Sequence, residues 1–253
     1  MQSALQIYLF GSFRLVVEGS ILTNSNWQKR KAKLLLQILA LQPEYELHRE
    51  ALTEMLFPET DEKTASANLY RVLYVARRAL EPHRSSPSPP SHLLTNGKQI
   101  RLMAANGLWV DAKEFEQQAR EGLKSNNANL LECAARLYTG DLLTDEPFEQ
   151  WTIVPREQLR TLFHSVLRRL AENAEKIKDV EAEHFWLDKI LSHEPADEKA
   201  CRAKMRLYHR QGEHSLALKQ YDKCAEALQR EISVEPDRET RQLRQKILFD
   251  KKK

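Results

Sequence analysis

The feature that most limits how this chain can fold is a recurrence in its second half. Ala182 and Trp186, in VEAEHFWLDKILSHEP, return 35 residues later as Ala217 and Tyr221, in HSLALKQYDKCAEALQ. A looser copy, LLECAARLYTGDLL, begins at Leu130. Self-similarity at this period marks stacked helix pairs. A small residue lets two helices approach, and an aromatic fills the gap to the next pair. From Trp109 onward the text reads as helix nearly throughout, and Gly122, Gly140 and Gly212 fall near predicted turns. The aromatics Trp151, Trp186 and Tyr221 are expected to be core residues, and a concave groove for a peptide or partner is compatible with such a stack.

The first hundred residues are written differently. Leu5, Ile7 and Leu9 alternate, as do Phe13, Leu15 and Val17, which predicts strands with one buried face. NSNWQKRKAKLLLQILALQP predicts a helix capped by Asn24 to Asn26, with Leu35, Ile38 and Leu39 as its core stripe. A short helix over about Arg49 to Leu56 precedes Pro58. A third helix spans Thr64 to Leu80, in TASANLYRVLYVARRAL. At the α-helical period Leu69, Leu73, Ala76 and Leu80 form one stripe, and the opposite side is centred on Arg71 and Arg78. No acid stands between Thr64 and Leu80, whereas an ordinary solvated face would mix both signs. Such a rod, roughly 25 Å long, fits a DNA major groove about 12 Å wide. After the proline-rich EPHRSSPSPPS, Asn96-Gly97 in HLLTNGKQIRLM predicts a β-hairpin. Strands, helix, short helix, long basic-faced helix and hairpin are the element order of a winged helix-turn-helix.

Charge is distributed unevenly. Residues 1–104 carry 13 Lys+Arg against 9 Asp+Glu, and the remainder carries 26 against 27. The basic excess therefore sits in the first part, which points to nucleic acid. A hydrophobic fraction of 42% excludes an intrinsically disordered chain. No apolar run approaches the roughly 18 residues of a membrane span, and the start is a poor signal peptide. Cys133, Cys201 and Cys224 are odd in number and far apart in sequence, which suggests plain packing in a reducing compartment. No G-x-x-x-x-G-K-[ST], H-E-x-x-H, C-x-x-C or G-x-S-x-G motif is present. The expectation is a cytoplasmic protein without membrane association, cofactor, metal or enzymatic activity.

Tyr208, Gly212, Ala217 and Tyr221 have the aromatic, glycine, small and aromatic spacing of a tetratricopeptide repeat. Longer pieces carry a wider resemblance. LWVDAKEFEQQ, LYTGDLLTDEPFEQW, VPREQLR, CRAKMRLYHRQGEHSLALKQYDKCAEAL and EISVEPDRETRQL together resemble the bacterial transcriptional activator domain, a tetratricopeptide-like helical bundle. LQIYLFGSFRLVVEG, QKRKAKLLLQILALQP and ASANLYRVLYVARRALEP are similar to the OmpR-like winged helix that precedes it in Streptomyces antibiotic regulatory proteins. The resemblance covers nearly the whole chain and contains no catalytic motif. It implies a mainly α fold with a small β component. A winged-helix DNA-binding domain over residues 1–104 would be followed by a tetratricopeptide-like all-α helical-repeat domain over 105–253. It also implies a stand-alone activator that binds direct-repeat promoter sites as a homodimer and recruits RNA polymerase. The other reading is a helical-repeat interaction scaffold whose winged helix does not read DNA.

Carried over by position, Thr64, Asn68, Arg71, Val72, Tyr74 and Val75 face the groove, with Arg77 or Arg78 on phosphates. The helical wheel places Val72 nearer the core. Lys29, Arg30, Lys31 and Lys33, with the wing residues Lys98 and Arg101, are expected to hold phosphates and set register. Arg71 is the candidate for a bidentate guanine contact and Asn68 for adenine.

Overall fold

The computed structural model describes residues 5–22, 30–81, 92–105 and 107–251. The predicted cap at residues 24–26 and the proline-rich loop, residues 82–91, lie outside these. Contacts divide the chain into two units, residues 1–117 with 136–160 and residues 118–135 with 161–253. A cut after residue 104 falls inside the first of them.

In the first unit, β1 (Leu5–Tyr8), β2 (Arg14–Val17) and β3 (Ser20–Leu22) form an antiparallel meander. Leu5, Ile7, Leu9, Leu15 and Val17 are buried, as their alternation requires. Val17 pairs with Ser20, so the loop is Glu18-Gly19. Both residues have positive φ, the geometry whose twist suits a two-residue hairpin. Helix α1 (Arg30–Leu41) is buried on more of its circumference than the expected stripe: Leu34, Leu35, Leu36, Ile38, Leu39 and Ala40 are all fully covered. A 3₁₀ turn at Pro43–Tyr45 leads to β4 (Glu46–His48) and α2 (Arg49–Leu56).

Helix α3 (Glu62–Leu80) starts two residues before the predicted span, because Asp61 caps it. The Asp61 carboxylate accepts from the Thr64 N–H at 3.0 Å and is held below the usual aspartate range by that bond. The buried residues of α3 are Ala65, Leu69, Val72, Leu73, Ala76 and Leu80. Strands β5 (Leu93–Asn96) and β6 (Gln99–Leu102) make the predicted hairpin, but its turn is displaced by one residue. Asn96 pairs with Gln99, so Gly97-Lys98 is the loop. Gly97 alone takes positive φ there; Asn96 extends the strand instead. Neither β4 nor β7 (Leu108–Val110) was expected. β4 pairs with β6, and β7 runs parallel to β1 where helix was predicted from Trp109. A three-residue strand gives no readable period, and its partner lies a hundred residues away.

Asp111, the first residue of α4 (Asp111–Ser125), is 3% exposed. Its carboxylate accepts from the N–H groups of Leu9 at 2.8 Å, Phe10 at 3.0 Å and Ala112 at 2.7 Å. Residues 138–146 complete the unit through backbone bonds. Gly11 N–H donates to Asp141 O, Leu143 N–H to Leu9 O and Thr144 N–H to Gly11 O. Here the YTGD motif has a structural job. The Tyr138 ring lies 4.6 Å from Phe10 and 5.5 Å from Phe115, and its hydroxyl donates to Asp141 at 2.6 Å. Asp141 is also bound by Arg160.

The second unit is helical. Between α5 (Ala128–Leu137) and α6 (Ile153–Ile177) the chain passes through a 3₁₀ turn, Gln150–Thr152. There follow α7 (Val180–His193), α8 (Glu198–Arg210), α9 (His214–Ile232) and α10 (Arg238–Asp250). Ala217 is fully buried beside Cys201, Met205, Cys224, Leu228 and Ile247, and Tyr221 packs against this cluster. Cys201 and Cys224, distant in sequence, thus share one core as packing residues. Gly212 takes φ +78° after α8, the left-handed position that ends a helix with little strain only in glycine.

One repeat signal emerges only in three dimensions. Arg168 in α6 donates to Asp197, the N-cap of α8, at 2.6 Å, and Arg202 in α8 donates to Asp237, the N-cap of α10, at 2.7 Å. The two arginines are 34 residues apart. The same arginine-to-cap bond thus occurs twice, one repeat apart. The fold is therefore mainly α with a small β component, a winged helix-turn-helix arrangement followed by a tetratricopeptide-like stack. Among the described residues no helix is long and apolar enough to cross a membrane.

Asp111→Ala would strand three backbone donors next to a closed core. At about 1–3 kcal/mol per unsatisfied group, the variant is expected to lose at least about 3 kcal/mol in urea unfolding. A loss below 1 kcal/mol would show that water replaces the carboxylate.

Candidate nucleic-acid interface

The exposed side of α3 is a single line of residues. Thr64, Ala67, Arg71, Tyr74 and Arg78 follow one another at helical spacing and are exposed, Tyr74 at 61%. Asn68 and Val75 flank the line half-buried. Arg71 makes no hydrogen bond or ion pair to any described residue. Arg78 lies 6.0 Å from the Tyr74 ring, a loose cation–π contact that leaves its N–H donors open. Tyr70, 60% exposed, borders the line and carries Arg49 4.0 Å over its ring. Arg49 also donates to Ser66 at 3.2 Å. This aromatic–cation pair was not singled out from the sequence, because Arg49 and Tyr70 belong to different helices.

Several expected contact residues are placed elsewhere. Val72 is 3% exposed and belongs to the core, as the helical wheel indicates. Arg77 is half-buried and spent on the hairpin, donating to Leu93 O at 3.0 Å and Thr95 Oγ1 at 2.7 Å. It fixes the hairpin to α3 rather than offering a free charge to a phosphate. Arg30 bonds Glu146 at 2.5 Å and Glu149 at 2.8 Å. Lys33, its side chain only 12% exposed, bonds Asp145 at 2.8 Å and Glu146 at 2.9 Å. Burial works against the Lys33 charge, and the hydrogen bonds it donates to Asp145 and Glu146 outweigh that, so its pKa is raised. Both cations are neutralised by the acids of TDEPFEQ, which the sequence places more than a hundred residues away. Lys31 stands 5.6 Å from the Phe57 ring. Lys29 lies outside the described residues.

The hairpin cations are also answered. Lys98 bonds Glu50 at 3.0 Å, and the Arg49 N–H donates to Lys98 O at 2.7 Å, tying the turn to the start of α2. Arg101 faces Glu46 across the β4–β6 pair at 3.7 Å and Glu44 at 3.8 Å. These exposed pairs are weak and screened by salt, so a phosphate can compete for either cation. The line on α3 is thus the only part of the expected set in which exposed arginines face solvent with no acid beside them among the described residues.

The family model of the bacterial transcriptional activator domain matches residues 110–248, more than half of the chain. The chain belongs to this family of transcriptional activators. In its sequence a winged helix-turn-helix arrangement precedes the activator domain. Among solved structures it is similar to Mycobacterium tuberculosis EmbR in complex with low affinity phosphopeptide. The TM-score is 0.75 at 18% identity over 98% of this chain. The chain spans 66% of that one, just under two thirds, and at this identity the likeness is one of fold. No curated protein matches the chain. The activator-domain motifs YTGD and VEPD are accounted for by structure: the first anchors residues 9–11, and the second supplies the N-cap Asp237.

Lys33 gives this region a pH dependence whose sign is fixed. Its folded pKa is raised, so its contribution is complete below the unfolded lysine value near 10.5 and is lost as pH rises through the folded value. Lys33→Met is expected to flatten the fall in thermal midpoint between about pH 9.5 and 11.5 relative to the parent. Parallel curves would show that the ion pairs contribute no net stability.

Proposed function

We propose that the chain is a sequence-specific DNA-binding transcriptional activator of the cytoplasm. It binds direct-repeat promoter sites as a dimer and recruits RNA polymerase. Residues 1–104 supply the reading head, and residues 105–253 supply dimerisation and the contact with polymerase. One observation carries the reading. The exposed face of α3 holds Arg71 and Arg78 with no acid among its residues, and the core stripe behind it fixes the angle at which they project. Arg71 sits mid-helix, where a guanidinium meets base edges and can bond guanine O6 and N7 together. Asn68, half-buried on the flank, has the amide geometry for adenine. Arg78, in the last turn of α3, reaches the sugar–phosphate backbone, with Lys98 and Arg101 exchanging their acids for phosphates. Thr64, Tyr74 and Val75 complete the surface against the groove.

The test is fluorescence anisotropy of the purified protein on promoter DNA from its own genomic neighbourhood, with a scrambled duplex beside it, across a salt series. Tight binding to the promoter alone, weakening with salt, is expected. Equal weak binding to both duplexes at every salt would leave only a basic surface. Arg71→Ala is expected to cost about 1–3 kcal/mol at the cognate site and to relax preference at one base pair. Uniform loss on all sequences would make Arg71 a phosphate contact.

The ion pairs described above sharpen the salt dependence. Each phosphate contact contributes a slope of about −0.9. Arg78→Ala should reduce the slope by about one contact, whereas Arg30→Ala should leave it unchanged, its charge being held by Glu146 and Glu149. A shallower slope in Arg30→Ala would mean that this pair opens on DNA.

A further inference from the structure

Around Arg71 the exposed side of α3 is apolar. Ala67 stands one turn before it, and Tyr74 and Val75 stand one turn after it. All three lie within about 60° of Arg71 on the helical wheel, on the side turned away from the buried stripe. Ala67 and Tyr74 are exposed, Tyr74 at 61%, and Val75 is half-buried. A merely solvated helix face would fill such positions with lysine, glutamate or glutamine. Here a ridge that carries Arg71 and Arg78 and no acid keeps an aromatic and two aliphatic side chains in the open. Of its side chains, Arg71 and Asn68 have the polar groups to read base edges in the middle of the helix. Ala67 and Val75 have none, and most of the exposed Tyr74 ring is carbon.

We propose that Ala67, Tyr74 and Val75 read thymine methyl groups in the base pairs beside the guanine bound by Arg71. The edges of the major groove present donors, acceptors and one apolar group, the C5-methyl of thymine. An apolar side chain can favour a base there only through that methyl group. Set against the amino or carbonyl edge of another base, it would exclude water from a polar group and offer no partner in return. Spacing sets where the thymines stand. One helical turn is about 5.4 Å, less than two base-pair steps of about 3.4 Å each. The recognised site is therefore a guanine with thymine next to it or one step beyond, on both sides. The inference rests on α3 being the helix that contacts DNA, and adds the base that its apolar positions select.

The experiment selects binding sites for the full chain from a library of random DNA duplexes. The enriched site is expected to hold a guanine that Arg71→Ala no longer distinguishes, flanked by thymines. Each of those thymines is then replaced in turn by deoxyuridine, which keeps its base pair and lacks only the methyl group. A replacement that removes a contact is expected to weaken binding about fourfold, the worth of one buried methyl group. In each of Ala67→Gln, Tyr74→Gln and Val75→Thr, that penalty is expected to vanish at one thymine and persist at the others. Tyr74→Phe is expected to keep it, which separates methyl contact from any bond made by the hydroxyl. Should the half-buried Val75→Thr melt early, the exposed positions Ala67 and Tyr74 decide the matter. An enriched site without flanking thymine, or a deoxyuridine penalty unchanged in the variants, would overturn the inference and leave DNA reading standing. Enrichment of no sequence at all would sink both.

Discussion

The first unit depends on one buried carboxylate. Asp111 stands where β7 ends and α4 begins, and it holds the N–H groups of Leu9 and Phe10 as β1 runs out. Burial pushes its pKa up, while three backbone donors pull it down, and burial prevails. The site tolerates this because the alternative is worse. Without the carboxylate, donors at the end of an interior strand would face a closed core, and Phe10 would lose its seat between Phe115 and Tyr138. The central position of β1, between β2 and β7, carries that constraint to the whole four-stranded sheet.

Electrostatics in the first unit follow pairing more than count. A surplus of four positive charges in the first 104 residues invites the view of a broadly basic domain. The structure places Arg30 and Lys33 against Asp145, Glu146 and Glu149, and Arg77 against β5. Among the described residues the guanidinium groups of this region left without an acid and set on one line are Arg71 and Arg78 of α3, while Lys31 and Lys63 are lone lysines off that line. Such a distribution suits base reading: a diffuse field raises affinity for all DNA alike, whereas a few oriented guanidinium groups discriminate between sequences.

Local periodicity made much of this legible. The strands of the meander, the span Arg49–Leu56, the buried stripe of α3 and the small–aromatic spacing of the stack follow from periods of two and 3.6 residues and from capping chemistry. The parts that were not legible depend on distant partners. β4 and β7 are three residues long and exist only because β6 and β1 have free edges. The Asn-Gly turn signal was right in kind and one residue off in place, since register is set by β4 and β5 against β6 and not by the dipeptide alone. Glu146 of TDEPFEQ is 2% exposed because Arg30 and Lys33 reach it, a burial that no local pattern signals. The arginine pair Arg168 and Arg202 stood in the text at the repeat spacing. It was hidden because its partners, Asp197 and Asp237, are 29 and 35 residues further on.

That the first unit is assembled from residues 1–117 and 136–160 also bears on its birth. A ribosome adds about 5–20 residues per second. During synthesis α3 emerges long before Tyr138, Asp141 and Arg160, and the four-stranded sheet lacks its last anchors for that interval. The nascent chain therefore carries α3 on an unfinished scaffold. The first unit can close only late in translation, when much of the helical stack is already being made. Chain order alone thus ties completion of the first unit to synthesis of the helices that follow it.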